Sequence, residues 1–141
     1  MQYGEYLAGM AFSNASLGYV HSMAHQLGGV YDLVHGLCNA ILLPEVSRFN
    51  AVATPARFVD IAKAMGVDVS NMTQEQAIEA GIAAIEALSQ QVGTAQRLAD
   101  LGVTEDKLAF MAQNALNDAC SLTNPRKASL EEIIDIFKAR L

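Results

Sequence analysis

The sequence has no cluster of basic residues. Its 15 acidic residues outnumber its 9 basic residues, which gives a formal net charge of −6. A surface that binds nucleic acid or an anionic membrane through its charge needs a basic patch. We therefore expect no nucleic acid and no membrane among the partners of this chain.

Cysteine is also scarce. The two cysteines, Cys38 and Cys120, form no CxxC motif and no disulfide framework. Structural disulfides belong to oxidising compartments and are rare in the cytosol. Two isolated cysteines therefore predict free thiols and a cytoplasmic location.

Long apolar runs are missing as well. No stretch approaches the ~18 apolar residues of a membrane-spanning helix. The N-terminus lacks the basic start of a signal peptide, and Glu5 interrupts its apolar stretch. The chain also has no glycine-rich strand–turn–helix, which is the segment that binds a dinucleotide. We therefore expect no nucleotide-binding domain within these residues.

Charge is nearly absent from the first third. Lys, Arg, Asp and Glu make up 17% of the chain, but positions 1–50 hold only Glu5, Asp32, Glu45 and Arg48. A soluble domain usually keeps charges on every exposed face. The first third is therefore predicted to lie both at the centre of the fold and at an interface, and we expect a homo-oligomer.

Apolar residues recur at helical spacing, and no strand-like alternation of any length is present. This pattern predicts an all-α fold, a single compact helical domain with short connections. The expected helices are Gln2–Phe12, Ser16–Leu27, Leu37–Phe49, Pro55–Gly66, Thr73–Val92, a short one over Thr94–Leu101, and two that begin after Thr104 and Ser129. The third of them is expected to begin at His35 or Gly36.

Helix boundaries follow from residues that start or stop helices. Ser16 is expected to cap the second helix, and Gly28-Gly29 to end it. Pro44 lies inside the third helix and predicts a kink or a break there. Two capping boxes are predicted, each with a hydroxyl residue three positions before Gln or Glu: Thr73 with Gln76, and Ser129 with Glu132.

All three histidines lie in one charge-poor segment, Leu17–Asn50. His21 and His25 are four residues apart, so a helix places them on one face. His35 follows the Gly28-Gly29 pair and precedes another apolar run. An apolar segment in which imidazoles stand out among the polar side chains predicts a buried site.

The residues alone leave two interpretations of these histidines open. Each imidazole could form a hydrogen bond in the core, or the group could bind a metal, for which histidine is the commonest ligand. Spacing alone would select His21 and His25 as the ligand pair, because an HxxxH helix brings both rings to one face.

The pattern HxxxHxxGGxxxxxHGxxNAxLLPxxxRFN over His21–Asn50 resembles the signature of the iron-dependent alcohol dehydrogenases, of the lactaldehyde reductase and 1,3-propanediol dehydrogenase type. The resemblance continues through Asn124-Pro125-Arg126 to the C-terminus. It implies that residues 1–141 are a partial C-terminal domain, all-helical and iron-binding, of a dehydroquinate-synthase-like alcohol dehydrogenase. The nucleotide-binding domain of such an enzyme is absent here.

The resemblance also implies a role for each site residue. His21 and His35 would bind Fe²⁺ or another divalent first-row metal, and His25 would be a catalytic residue that relays a proton near the reacting carbon. Two further ligands, an aspartate and a histidine from an earlier helix, have no counterpart in this chain. Val34 stands where the family usually has a proline before the third histidine, which leaves the position of His35 less constrained.

Two more residues carry alternative interpretations. By resemblance, Phe12 would line the pocket for substrate and nicotinamide, and core packing would explain it equally well. Cys120 falls where similar enzymes place a residue near the pocket, although a small buried residue is the simpler explanation. Asn39 is expected to form a structural hydrogen bond.

The activity implied by the resemblance is hydride transfer between NAD(P) and a small primary alcohol or aldehyde. A mixed histidine and carboxylate site suits a divalent first-row metal with open positions. The chain alone is expected to be inactive, because it lacks two metal ligands and the cofactor domain. The alternative is a free-standing helical remnant that only self-associates or binds other subunits.

Overall fold

The structure of the protein is a computed structural model that covers residues 1–141. It contains helices and turns and no strand, which confirms the all-α prediction. The α-helices are α1 Gln2–Ala15, α2 Tyr19–Tyr31, α3 His35–Ala51, α4 Pro55–Ala64, α5 Gln74–Gln91, α6 Leu108–Asn117 and α7 Leu130–Lys138. Short 3₁₀ helices lie at Ala99–Leu101, Glu105–Lys107 and Ala119–Thr123.

The boundary between α1 and α2 differs from the prediction. Ser16 does not cap α2. It closes α1 instead, with a left-handed φ of 66° and its N–H donating to the Phe12 carbonyl. α2 begins after Gly18, whose backbone is extended. A Cβ on Gly18 would lie 2.7 Å from Asn124 Oδ1. Glycine at this position therefore allows the loop Asn124-Pro125-Arg126 to approach closely.

The end of α2 was also predicted wrongly. The helix continues through Gly28-Gly29 and ends at Asp32, which has a left-handed φ of 55° and donates its N–H to the Gly28 carbonyl. Glycine permits a helix to end but does not force it to. Here Leu27 is fully buried and Tyr31 packs against the core, so tertiary contacts hold the last turn helical.

α3 begins at His35, one of the two predicted starts, and ends at Ala51, beyond the predicted Phe49. It passes Pro44 without a break. The proline removes one helical N–H donor, but Leu42 and Val46 on either side are fully buried and keep the helix in place. Val34, just before α3, has φ −62°, which is the value that proline would impose. The backbone before His35 therefore has the expected conformation without a proline.

The local start signals of the later helices were predicted correctly except at Thr104. Both predicted capping boxes are present, at Thr73 with Gln76 and at Ser129 with Glu132. Thr104 differs from the prediction, because it precedes a 3₁₀ turn and makes no side-chain cap. Its hydroxyl lies 3.1 Å from the Tyr31 hydroxyl, and its N–H donates to the same oxygen.

The main core is formed by α2, α3, α6 and α7. Its fully buried members include Met23, Leu42, Met111, Ile133 and Phe137. A smaller apolar cluster joins α3 to α5, where α4 crosses α5 closely: a Cβ on Gly81 would lie 2.8 Å from the Ala62 Cβ. Most of the core thus comes from the two helices of the histidine segment and those packed against them.

The Asn124-Pro125-Arg126 loop ties the ends of two helices together. Asn124 accepts a hydrogen bond from the Tyr19 N–H at 3.1 Å and exchanges hydrogen bonds with the Asn50 side chain. Arg126 lies 4.0 Å above the Phe49 ring and pairs with Glu132 at 2.6 Å. These contacts fix the start of α2 relative to the end of α3.

α1 is the exception in this packing, because none of its residues is buried. Its apolar residues Tyr3, Tyr6, Leu7 and Met10 are spaced like one helical face, and all are exposed. Across the whole chain, no helix combines the length and the apolar character needed to cross a membrane.

Candidate metal site

The three histidines come together at the junction of α2 and α3. The ring centroids of His21 and His35 lie 5.4 Å apart, those of His25 and His35 lie 5.3 Å apart, and those of His21 and His25 lie 6.4 Å apart. α2 presents two of the rings on one face, and the third belongs to the first residue of α3.

The histidine cluster lies at the surface, which corrects the prediction of a buried site. His25 and His35 are exposed, and His21 is half-buried. The reason is the helical period of α2. Its buried residues include Tyr19, Met23 and Leu27, one above the other, so the two histidines of α2 fall on the opposite face.

Asn39 connects two of the three rings. Its Nδ2 lies 3.0 Å from His35 Nε2 and 3.4 Å from His21 Nε2. An amide nitrogen can only donate, so both ring nitrogens accept and their lone pairs are directed at one place. Asn39 Oδ1 is buried and has no partner. The sequence predicted a structural hydrogen bond for Asn39 but not this bridge between two imidazoles.

Electrostatics favour a neutral His21. Burial lowers the pKa of its imidazole, and the neighbouring His35 and His25 lower the pKa further. A neutral imidazole has the free lone pair that a metal requires, whereas a protonated imidazole has none. Two neighbouring imidazoles suit a divalent first-row metal, but here the Asn39 amide contacts both Nε2 atoms, so a metal would have to take its place.

His25 is held differently from the other two histidines. Its Nδ1 lies 2.8 Å from Asp118 Oδ2, on the loop that follows α6. Burial alone would raise the pKa of the Asp118 carboxyl, but hydrogen bonds from His25 and Cys120 outweigh it and hold the pKa below its usual value. Sequence reasoning did not find Asp118, because it lies 93 positions from His25.

Cys120 completes a second group of potential metal ligands with His25 and Asp118, whose ligand atoms lie within 4.8 Å of one another. Burial and then the neighbouring Asp118 raise the pKa of the Cys120 thiol, which favours the thiol over the thiolate as long as no metal is bound. Both cysteines are free, as predicted.

Phe12 and His21 line the same pocket. This cavity of about 380 Å³ lies between the end of α1, the start of α2 and the Asn124 loop. Phe12 is 51% exposed, so core packing does not explain it in this structure. The pocket brings the aromatic ring of α1 next to the histidine cluster.

One known protein family matches the whole chain. The profile described as the Fe-containing alcohol dehydrogenase family, C-terminal, covers residues 1–141. The 1,3-propanediol dehydrogenase of Klebsiella pneumoniae is 51% identical over 138 residues, which are 98% of this chain and 36% of that protein. The NAD-dependent methanol dehydrogenase of Bacillus methanolicus is 42% identical over 141 residues, which are 100% of this chain and 37% of that protein.

Solved structures agree with this result. A crystal structure of 1,3-propanediol oxidoreductase matches with a TM-score of 0.94 and 51% sequence identity, over 96% of this chain and 35% of that chain. The chain therefore belongs to the iron-containing alcohol dehydrogenase family and corresponds to its C-terminal part. It spans about a third of the length of the relatives it matches.

Proposed function

We propose that residues 1–141 are a partial, all-helical, iron-binding C-terminal domain of an alcohol dehydrogenase that interconverts a small primary alcohol and its aldehyde with NAD(P). The observation that carries this proposal is the convergence of His21 Nε2 and His35 Nε2 on the Asn39 amide, at 3.4 and 3.0 Å. The names of relatives that act on methanol and 1,3-propanediol support the substrate class.

In this proposal, His21 and His35 hold the metal, Fe²⁺ or another divalent first-row ion. Such an ion acts as a Lewis acid that polarises a substrate oxygen. Both ring nitrogens would exchange their hydrogen bonds with the Asn39 amide for bonds to the metal. Helix spacing alone favours His21 with His25, whereas the resemblance favours His21 with His35. His25 Nδ1 bonds to Asp118, and a carboxylate on one ring nitrogen is also common for a metal-bound histidine, so the metal content of the variants below decides between the two pairs.

His25 is the proposed catalytic residue, since a partly exposed imidazole beside the metal ligands can accept and release a proton. Phe12 is the proposed contact to the nicotinamide or substrate, because its exposed ring lines the pocket that also reaches His21. The remaining metal ligands and the cofactor domain must come from outside these residues, so the chain alone is expected to be inactive. We further propose a cytoplasmic homo-oligomer.

The proposal is tested with a chimaera in which residues 1–141 replace the matching part of Klebsiella pneumoniae 1,3-propanediol dehydrogenase. Metal content is measured after extensive dialysis. His21→Ala and His35→Ala should each lose metal and activity, because a lost ligand cannot be replaced. His25→Ala should keep the metal while its activity falls roughly 10²–10⁴-fold, as for general acid–base residues.

The same three variants can disprove the assignment. A metal-free His25→Ala together with a metal-loaded His35→Ala would show that the HxxxH pair, and not the Asn39-linked pair, binds the ion. Turnover by the isolated 141-residue chain with added iron and NAD would disprove the view that it is only part of an enzyme.

One observation favours the alternative function, a module that only binds itself or other subunits. α1 presents Tyr3, Tyr6 and Leu7 to solvent along one face, and nothing in the chain covers them. A module of this kind would need no metal. An inactive, metal-free chimaera that still assembles like the Klebsiella enzyme would therefore support it.

A further inference from the structure

We infer that Asp118 is a positioning residue that fixes the orientation of the His25 ring and holds its proton on Nδ1, which leaves the lone pair of the neutral ring on Nε2. This inference rests on the proposed role of His25 in proton transfer. Asp118 contacts Nδ1 of the ring, on the side away from Nε2. It is not a catalytic residue, because it acts only through the imidazole.

The Asp118 carboxylate is fixed from two sides. Oδ1 accepts the Cys120 N–H at 2.8 Å and caps the 3₁₀ helix Ala119–Thr123. Oδ2 lies 2.8 Å from His25 Nδ1. The backbone at Asp118 is extended, so its side chain leaves the loop toward α2. A carboxylate with both oxygens engaged in this way has little freedom to turn away from the ring.

The hydrogen bond determines where the proton of His25 lies. An ionised carboxylate can only accept a hydrogen bond, so Nδ1 must donate. A neutral imidazole carries one N–H, which leaves Nε2 with a free lone pair. The His35 ring stacks on His25 at a centroid distance of 5.3 Å and an interplanar angle of 20°. This stacking limits rotation of the imidazole out of the plane that suits the carboxylate.

The neighbouring histidines show that the arrangement is specific. His21 and His35 direct Nε2 to the Asn39 amide, whereas His25 directs Nδ1 to Asp118. Two side chains, Asn39 and Asp118, therefore hold the three neighbouring imidazoles in different orientations. The Asn39 amide contacts the two proposed metal ligands, and the Asp118 carboxylate contacts the proposed proton-relay residue, His25.

Asp118→Asn tests the inference with little change in shape. The carbonyl oxygen of the substituted side chain can keep the Cys120 N–H cap, which leaves its amide nitrogen facing His25 Nδ1. That nitrogen donates, so Nδ1 must become the acceptor and the proton must move to Nε2. In the Ser-His-Asp triad of chymotrypsin-like proteases, the same replacement of the aspartate by asparagine leaves the histidine in the wrong tautomer.

The measurement is long-range ¹H–¹⁵N correlation of the His25 ring nitrogens in the metal-free 141-residue chain, at a pH where the histidines are neutral. The native chain should show the Nδ1–H tautomer, and Asp118→Asn the Nε2–H tautomer. Asp135→Asn, at an exposed aspartate on α7, removes the same charge and should behave like the native chain. A native chain with the Nε2–H tautomer would overturn the inference even if Asp118→Asn did not fold.

A second measurement uses the chimaera described above. Asp118→Asn should lower kcat by roughly 10²-fold or more, the scale of general acid–base catalysis, with KM and metal content close to those of the unmodified chimaera. A kcat within about twofold of the unmodified value would overturn the inference, on the scale at which such catalysis contributes. Failure of the proposed function is distinguishable, because the unmodified chimaera would then bind no metal while the tautomer of His25 stayed as inferred.

Discussion

α1 and α2 have similarly charge-poor sequences but opposite surroundings. α1 contains one charged residue, Glu5, and α2 contains none. Yet α2 buries Tyr19, Met23 and Leu27 in the core, and α1 buries nothing. A low charge therefore indicates that a helix has an apolar face to bury. It does not indicate whether that face packs in the core of the same chain or against another surface. The buried face of α2 thus stabilises this domain, whereas the exposed face of α1 is free to contact another surface.

The largest expected effect is on the free energy of unfolding, when one leucine of α2 and one of α1 are replaced in turn. Leu27 is fully buried, whereas Leu7 is 49% exposed. Leu27→Ala should lower the free energy of unfolding by about 2–5 kcal/mol, because it loses burial and leaves a cavity. Leu7→Ala should change it by less than about 0.5 kcal/mol. Urea unfolding followed by circular dichroism measures both, and equal losses would mean that α1 packs against the core in solution.

The next prediction concerns the ion pairs of the helical body, to which α1 contributes nothing. Arg140 and Arg48 contact Glu86 at 2.8 and 3.3 Å. Burial alone would raise the pKa of Glu86, but the hydrogen bonds from Arg140 and Arg48 outweigh it and the pKa is lowered from 4.5. A lowered folded-state pKa contributes stability above the unfolded pKa and loses it as the pH falls through the folded pKa.

Glu86→Gln should therefore destabilise the chain at neutral pH. It should also show a shallower loss of stability as the pH falls below the ordinary glutamate pKa, because there the native Glu86 takes up a proton on unfolding and the glutamine does not. Glu131→Gln, at an exposed glutamate of α7, is the matched control and should follow the native curve. Thermal unfolding across this pH range measures the effect. Parallel curves for the native chain and Glu86→Gln would show that the Glu86 ion pairs do not stabilise the fold.

The smallest effect on stability is expected at α1, where the readout is association. The exposed face with Tyr6 and Leu7 should make the 141-residue chain self-associate, since contiguous apolar surface favours contact. Tyr6→Ser with Leu7→Ser should weaken association without lowering the unfolding temperature. Leu122→Ser, at a residue 73% exposed elsewhere on the surface, should change neither. Sedimentation that shows a monomer at every concentration of the native chain would contradict the prediction.

The capping boxes and Pro55 at the first position of α4 predicted helix starts correctly, whereas Gly28-Gly29 and Ser16 did not mark the boundaries expected of them. Both capping boxes were predicted correctly because each depends on residues three positions apart. Gly28-Gly29 misled the prediction because packing of Leu27 and Tyr31 against the core overrides their local preference. Pro44 does not break α3, where Leu42 and Val46 on either side of it are buried. Ser16 was assigned to the wrong helix, since a hydroxyl residue between two helices can close one or begin the other.

The candidate site shows the same division. His21, His25 and His35 could be selected from the sequence, because they stand out in a segment with few polar side chains. The different roles of His25 and His35 came from the family resemblance and stay predictions. In the structure His35 contacts Asn39 and His25 contacts Asp118. Asp118 itself could not be predicted, because no pattern in one sequence links positions 93 residues apart.

Val34 has a consequence for the unfolded chain. Its φ of −62° in the folded state is the angle at which a proline ring would lock the backbone. The folded geometry before His35 is therefore unaffected by which residue is present, but an unfolded valine samples many more backbone conformations than a proline. Where the native angle suits it, such a substitution is worth about 0.4–1 kcal/mol. With valine at this position, the chain loses more conformational entropy on folding than it would with proline. The backbone angle before His35 is the same in both cases.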